Sequence, residues 1–183
     1  FFVAKTGRPG PVVIDIPKDI FTQEAPPAID GGKVRERVAL KFKAYTINKE
    51  QVRKAAKMLT EAQKPVMIVG GGVNISEKNH RLLTQLVEKT QIPVSETLMG
   101  RGVFTNEGVL NLGMLGMHGT TAANYAVQNA DVILAIGMRF DDRVTSDVSK
   151  FAPKAKIIHV DIDPAEIGKN VAVDLPIVAD SEE

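Results

Sequence analysis

The chain has 183 residues, 44% of them hydrophobic and 25% charged, with a formal net charge of +1 at pH 7. That allows one good core and part of a second domain, and it gives no reason to expect nucleic acid or a membrane surface as partner. The absence of cysteine excludes disulfides, thiolate metal sites and a cysteine nucleophile, and no apolar run approaches the ~20 residues that span a bilayer.

The chain starts on Phe1-Phe2-Val3-Ala4, which has neither a start methionine nor the basic leader of a signal peptide. Both ends look cut, so a piece of a longer, cytoplasmic protein is expected. Gly7-Arg8-Pro9-Gly10-Pro11 is turn-prone, and the β-branched run Val12-Val13-Ile14-Asp15-Ile16 reads as a short strand stopped by Pro17. Residues 22–47 contain Pro26-Pro27 and Gly31-Gly32 without a clear period and read as an inter-domain linker. From Asn48 the pattern is regular. Asn48 with Gln51 makes a capping box for a helix with Val52, Ala55, Ala56 and Leu59 on one face.

Pro65–Val69 follows as a buried strand ending in Gly70-Gly71-Gly72. Ser76 then opens a helix with Leu82, Leu83, Leu86 and Val87 inward. Ile92-Pro93-Val94 is a short strand, and a long loop runs through Met117. Thr120–Asn129 is a helix, Asp131–Ile136 a strand, Lys156–Asp161 a strand, Pro164–Lys169 a short helix and Pro176–Ala179 a last strand. Strands that are almost continuously apolar and alternate with helices imply an α/β, doubly wound parallel sheet with helices on both faces. Ligands of such a sheet sit beyond the carboxyl ends of its strands.

Several polar loops fall at that rim. Gly70-Gly71-Gly72 suits backbone amides meeting a phosphate, or is simply a tight turn; Ile75 stands where a dinucleotide fingerprint has its third glycine, and Glu96 is far along for the ribose acid. Thr97-Leu98-Met99-Gly100-Arg101-Gly102 is a ligand loop or a plain connection. In Leu115-Gly116-Met117-His118, the methionine would press on a flat cofactor or fill core, and the histidine would bond a ligand or serve structure. Arg139, Asp141, Asp142 and Arg143 form surface ion pairs or grip a phosphate, carboxylate or electron-rich ring. Asp161 and Asp163 hold ribose hydroxyls or cap a helix. His80, His118 and His159 have no metal spacing, so no metal site is expected.

Five stretches taken in order resemble the acetohydroxyacid synthase (acetolactate synthase) family. They are Gly7–Val12 with Asp15–Asp19, Gly70–Gly72, Thr97–Gly100, Leu112–Thr120, and Arg139–Arg143 with Asp161–Asn170. The resemblance implies a three-domain thiamine-diphosphate enzyme that joins two 2-ketoacids, pyruvate with pyruvate or 2-ketobutyrate, in branched-chain amino acid biosynthesis. Residues 1–21 would be the last strand of its first domain, 22–47 a linker, and 48–183 most of its central FAD-binding domain. By matching positions, Arg8, Gly70, Gly71, Gly72, Thr97, Leu98, Met99, Leu115, Gly116, Met117, His118, Gly137, Arg139, Asp141, Arg143, Val144, Asp161, Ile162 and Asp180 would contact or flank FAD, which performs no redox step in this family. Met117 and Arg143 would also stand near the substrate entrance. The thiamine-activating glutamate and the site for magnesium and diphosphate would lie outside this chain, which holds no catalytic residue of its own. The remaining domains, a further copy of the subunit and a regulatory small subunit would be its partners. Other readings are a pyruvate oxidase or glyoxylate carboligase relative, and a stand-alone nucleotide-binding module.

Overall fold

The computed structural model describes residues 2–5, 7–24, 30–41 and 47–182, and the chain divides into two compact units, Phe1–Tyr45 and Thr46–Glu183. Among the described residues of the first unit, helix α1 (Phe2–Lys5), a 3-10 turn at Ile20–Thr22 and helix α2 (Gly31–Lys41) are the regular elements. Asp30 Oδ1 accepts the N–H groups of Gly32 and Lys33 at 2.9 and 3.4 Å, which satisfies donors that open α2. This helix occupies a stretch in which the sequence shows no period; its Gly31-Gly32 start gives no helical signal. Residues 25–29 and 42–46 of that stretch lie outside the described residues. The run Val12–Ile16 forms no strand, and Val13 and Ile14 are 88% and 80% exposed. β-Branched residues favour a pleated, half-buried surface, and no strand among the described residues supplies one.

The second unit runs α3 (Lys49–Glu61), β1 (Pro65–Val69), α4 (Glu77–Thr90), β2 (Val94–Glu96), β3 (Asn111–Met114), α5 (Thr121–Gln128), β4 (Val132–Ile136), α6 (Asp142–Thr145), β5 (Lys156–Asp161) and β6 (Leu175–Val178). Its sheet has six strands in the order β3-β2-β1-β4-β5-β6, every pair parallel. This is the doubly wound α/β fold that the alternation implies. Along β1, Met67 and Val69 join one core with Leu83, Val87 and Ile158. Val66 and Ile68 join another with Ala123, Val127 and Ile133. Successive side chains point to opposite faces, so both faces are covered.

Several local expectations are corrected. Asn48 caps α3 by accepting from Glu50 and Gln51 N–H, but Gln51 does not reciprocate; its Nε2 donates instead to the Pro176 carbonyl at 2.8 Å. The inward face of α3 is Ala55, Met58 and Leu59, while Val52 and Ala56 are exposed. Leu82 likewise faces out of α4. β2 starts at Val94 because Pro93 has no N–H, though its carbonyl accepts from Met67 at 2.9 Å. β3 lies inside the expected loop; its Asn-Leu-Gly-Met sequence has no β-branched residue, and Gly113 has φ +78°. No helix forms over 164–169, where the bonds Glu166 N–H to Asp163 and Lys169 N–H to Glu166 are single turns and Gly168 has φ +74°.

Candidate functional site

The strand order reverses between β1 and β4, and a crevice beyond the carboxyl ends at such a switch point is where these sheets bind ligands. The two loops that leave it are knitted together. Gly70 N–H donates to Ile136 and Gly72 N–H to Gly137, each at 2.9 Å. Gly137 has φ +59°, and a Cβ there would lie 2.8 Å from the Gly72 Cα. Only glycine fits both the backbone angle and the approach.

The glycine turn passes into a 3-10 turn, Val73–Ile75. Ser76 then caps α4, its side chain accepting from Lys78 N–H. An acid already stands at this helix start. Glu182 pairs with Lys78 Nζ at 3.1 Å, and a side-chain hydrogen bond from Ser76, with the Lys78 contact, holds its carboxyl below the usual range. Glu96, at the end of β2, is buried and accepts from Arg101 at 2.9 Å and from the Gly102 and Phe104 N–H groups at 3.2 and 3.0 Å. Its work is to fold the following loop back, not to meet a ribose.

Beyond β2 and β3 the rim turns apolar and open. Thr97 is buried, whereas Leu98 and Met99 are 71% and 73% exposed and Met117 is 56% exposed. Leu115 is buried, and His118 is exposed two residues before the true cap of α5, Thr120, whose hydroxyl accepts from Ala123 N–H. Asn124 fixes this corner. It accepts from Gly116 N–H at 2.8 Å and donates to the Gly116 carbonyl at 3.0 Å. Gly116 has φ +96°, and a Cβ on it would run into the Arg143 carbonyl and lie 3.1 Å from the Val144 Cα. The neighbouring Met117 N–H donates to the same carbonyl at 3.0 Å. Leu115–His118 and the Arg143-Val144 segment are therefore one surface.

After β4 the chain alternates, with Met138 and Phe140 buried and Arg139 exposed between them. Arg139 pairs with the half-buried Asp141 at 3.2 Å, and Arg143 stands 4.0 Å from the exposed Asp142. The ion pairs expected of a surface cluster thus exist, and such pairs are worth little. One atom does not fit that account: Asp141 Oδ1 is buried without a hydrogen-bond partner. Arg139, Asp141, Asp142, Glu166, Lys169 and Asn170 border an open cleft of about 400 Å³. Asp161 is buried and accepts from Asp163 N–H at 2.8 Å, with Ile162 half-buried beside it. Asp163 accepts from Ala165 N–H, and Asp180 from Glu182 N–H. Below this rim His159 is fully buried. Burial pushes its pKa down, against the Met138 carbonyl and the Asp161 and Glu166 charges.

The rim loops come to the same edge because all six strands run the same way. Arg8 belongs to the first unit. Asn124, His159, Glu166, Lys169 and Asn170 stand outside the site residues expected from the sequence; nothing in the local sequence of His159 and Asn170 reports the distant Met138 and Arg139 carbonyls that they meet. Among the described residues no group of three or more His, Asp or Glu is placed to hold a metal ion. No helix among them is long and apolar enough to cross a membrane. The rim thus offers exposed apolar side chains able to meet a flat ring, guanidinium groups able to meet an anion, and an orphaned buried carboxylate oxygen able to accept a hydrogen bond.

Residues 52–183 match the thiamine pyrophosphate enzyme central-domain family. The chain belongs to that family. It is 53% identical over 184 residues to a probable acetolactate synthase large subunit of Methanocaldococcus jannaschii, covering all of this chain and 31% of that protein. It is 50% identical over 187 residues to the acetolactate synthase large subunit of Corynebacterium glutamicum, covering all of this chain and 29% of that one. A probable chloroplastic acetolactate synthase 2 of Oryza sativa subsp. japonica is 50% identical over 187 residues, with 98% of this chain and 26% of the relative covered. The central-domain chain thus spans less than a third of each of these relatives.

Proposed function

We propose that residues 48–183 are the FAD-binding central domain of an acetolactate synthase large subunit, with 22–47 as linker and 1–21 as the last strand of the domain before it. The observation that carries this reading is the bond from Met117 N–H to the Arg143 carbonyl. It joins Leu112–Thr120 and Arg139–Arg143, two of the stretches that carry the resemblance, into one wall at the carboxyl-end rim. The exposed run Val12–Ile16 supports a strand that is completed by chain outside these residues.

In this reading Arg139 and Asp141 face the cofactor, Leu98, Met99 and Met117 offer it apolar contact, and Arg143 stands toward the ketoacid entrance. FAD would supply shape and charge rather than redox chemistry. The intact protein would decarboxylate one 2-ketoacid and join the remainder to a second, for branched-chain amino acid synthesis, with thiamine diphosphate and magnesium held by its other domains. A further copy of the subunit and a regulatory small subunit would be its partners. A stand-alone NAD module fits less well: Ile75 replaces a fingerprint glycine, Glu96 is saturated by its own loop, and Glu182 sits at the helix start that a phosphate would use.

Calorimetric titration of the intact large subunit with FAD and with NAD tests this. FAD should bind and NAD should not, and equal affinity would favour the generic module. The purified 183-residue chain should form no acetolactate from pyruvate, thiamine diphosphate and magnesium. Turnover above blank would overturn the reading of it as a part.

A further inference from the structure

The loop that presents Arg139 is held in a conformation that it would not choose alone. Phe140 has φ +47°, the left-handed region that bulky side chains avoid and that persists only where the surroundings over-determine it. Much of that determination comes from β5. The polar His159 interrupts the apolar run of Ile157, Ile158 and Val160, beside the small Ala135 of β4. Its Nε2 lies 2.7 Å from the Met138 carbonyl. A carbonyl only accepts, so Nε2 carries the proton. The ring also meets Phe140 edge-on, centroids 5.1 Å apart at 87°, and Phe140 in turn meets Phe151 at 5.9 Å.

One side chain therefore grips the residue before Arg139 and the residue after it. Asn170 Nδ2 donates to the Arg139 carbonyl itself at 3.0 Å. The other ring nitrogen, Nδ1, is buried with no partner. An apolar residue would fill this place without that unmet acceptor, which marks the Nε2 donor as the reason for a histidine.

We propose that His159 is a positioning residue: the bond from Nε2–H to the Met138 carbonyl and the edge contact on Phe140 set the loop that aims Arg139 and Asp141 over the switch-point rim. The consequence for cofactor binding rests on the FAD reading above; the consequence for the loop does not.

Two variants of the intact large subunit separate the parts. His159→Phe keeps a ring and loses the donor; His159→Gln keeps a donor near the same place and loses the ring. Hydrogen–deuterium exchange without added cofactor is read on the peptide spanning 137–143 and on the β1 and β4 peptides. FAD affinity is measured in parallel. In His159→Phe, exchange should rise in the 137–143 peptide while β1 and β4 stay protected, and FAD affinity should fall about tenfold, the scale of one lost buried hydrogen bond. His159→Gln should restore most of both. Local exchange that rises and is rescued, in a protein that binds no FAD even as wild type, would uphold the positioning role and remove the flavin reading. Unchanged exchange at 137–143 in His159→Phe, or a rise spread evenly over the sheet, would overturn the proposal.

Discussion

The two ends of the sheet are built by opposite rules. At the amino ends, carboxylates close the backbone directly. Asp131, just before β4, accepts the Gln63 and Lys64 N–H groups at 2.6 and 2.9 Å, and Asp174, just before β6, accepts Ile157 N–H at 2.8 Å. At the carboxyl ends Glu96 and Asp161 still accept backbone N–H groups, but beyond them large apolar side chains stand open beside loosely paired arginines, and the glycine contacts join loop to loop. One end converts side-chain charge into strand alignment. The other leaves charge and apolar surface unused by the fold, which is what a binding rim requires.

The largest expected effect strikes the amino end. Asp131→Ala removes a charged acceptor from two backbone donors, and urea unfolding should show a loss of about 1.5–3 kcal/mol with FAD affinity unchanged in the protein that still folds. A comparable loss of affinity would mean that the two ends are not independent. Gly137→Ala should come next, at about 1–3 kcal/mol for a strained left-handed alanine pressed on Gly72. It should weaken ligand binding as well, since it opens the joint itself. A variant as stable as wild type would show that the joint can relax.

Acid separates the ends by pH window. The pKa of folded His159 is depressed, chiefly by burial, so as pH falls through its ordinary value near 6.5 the unfolded chain takes the proton first and stability declines. For Asp131, burial works to raise the pKa, but the Gln63, Lys64, Asp131 and Val132 backbone bonds together outweigh it, leaving the folded value low. Its contribution is present above the ordinary carboxylate value and is lost only as pH falls below it, toward the folded value. Unfolding curves measured downward from pH 7 should show the histidine limb first, and His159→Phe should abolish that limb alone. A single limb near pH 4 in the wild type would contradict it.

The smallest effect on stability belongs to the rim arginines. Arg139→Ala and Arg143→Ala should each change it by less than about 1 kcal/mol. Yet Arg139→Ala should reduce flavin retention, seen by absorbance, and Arg143→Ala should raise the ketoacid requirement in steady-state kinetics. Lysine should rescue only partly, because it lacks the planar fork. Wild-type kinetics and flavin content in both variants would return the cluster to plain surface ion pairs.

The same contrast governs what could be read from the sequence. β1, β4 and β5 announce themselves because Val66–Val69, Val132–Ile136 and Ile157–Val160 are almost continuously apolar. β3 does not, since a glycine-containing edge strand gains its identity from β2, with Ser95 Oγ donating to the Gly113 carbonyl at 3.0 Å. At the rim, loop positions were legible because glycine and charge cluster after strands. What Glu96, Asn124 and His159 do was not legible, because each acts on residues that its own neighbours do not reveal. α2 was hidden because Gly31-Gly32 masks a helix start that Asp30 caps, and the segment 164–169 has its cap but stays in single turns, with Gly168 at φ +74°.

The reversal of strand order at β1 and β4 also sets a timetable. Each half of the sheet, β1 to β3 and β4 to β6, follows sequence order on its own side, but β1 must wait for β4 across all of the chain between them. Bringing distant segments together costs chain entropy before any contact rewards it, and parallel sheets fold slowly for that reason. The Gly70–Gly137 joint is then among the last parts to close, and the rim on it cannot exist before closure. During refolding, the signal of a captured ligand should rise with the slowest phase, after far-ultraviolet circular dichroism has already recovered.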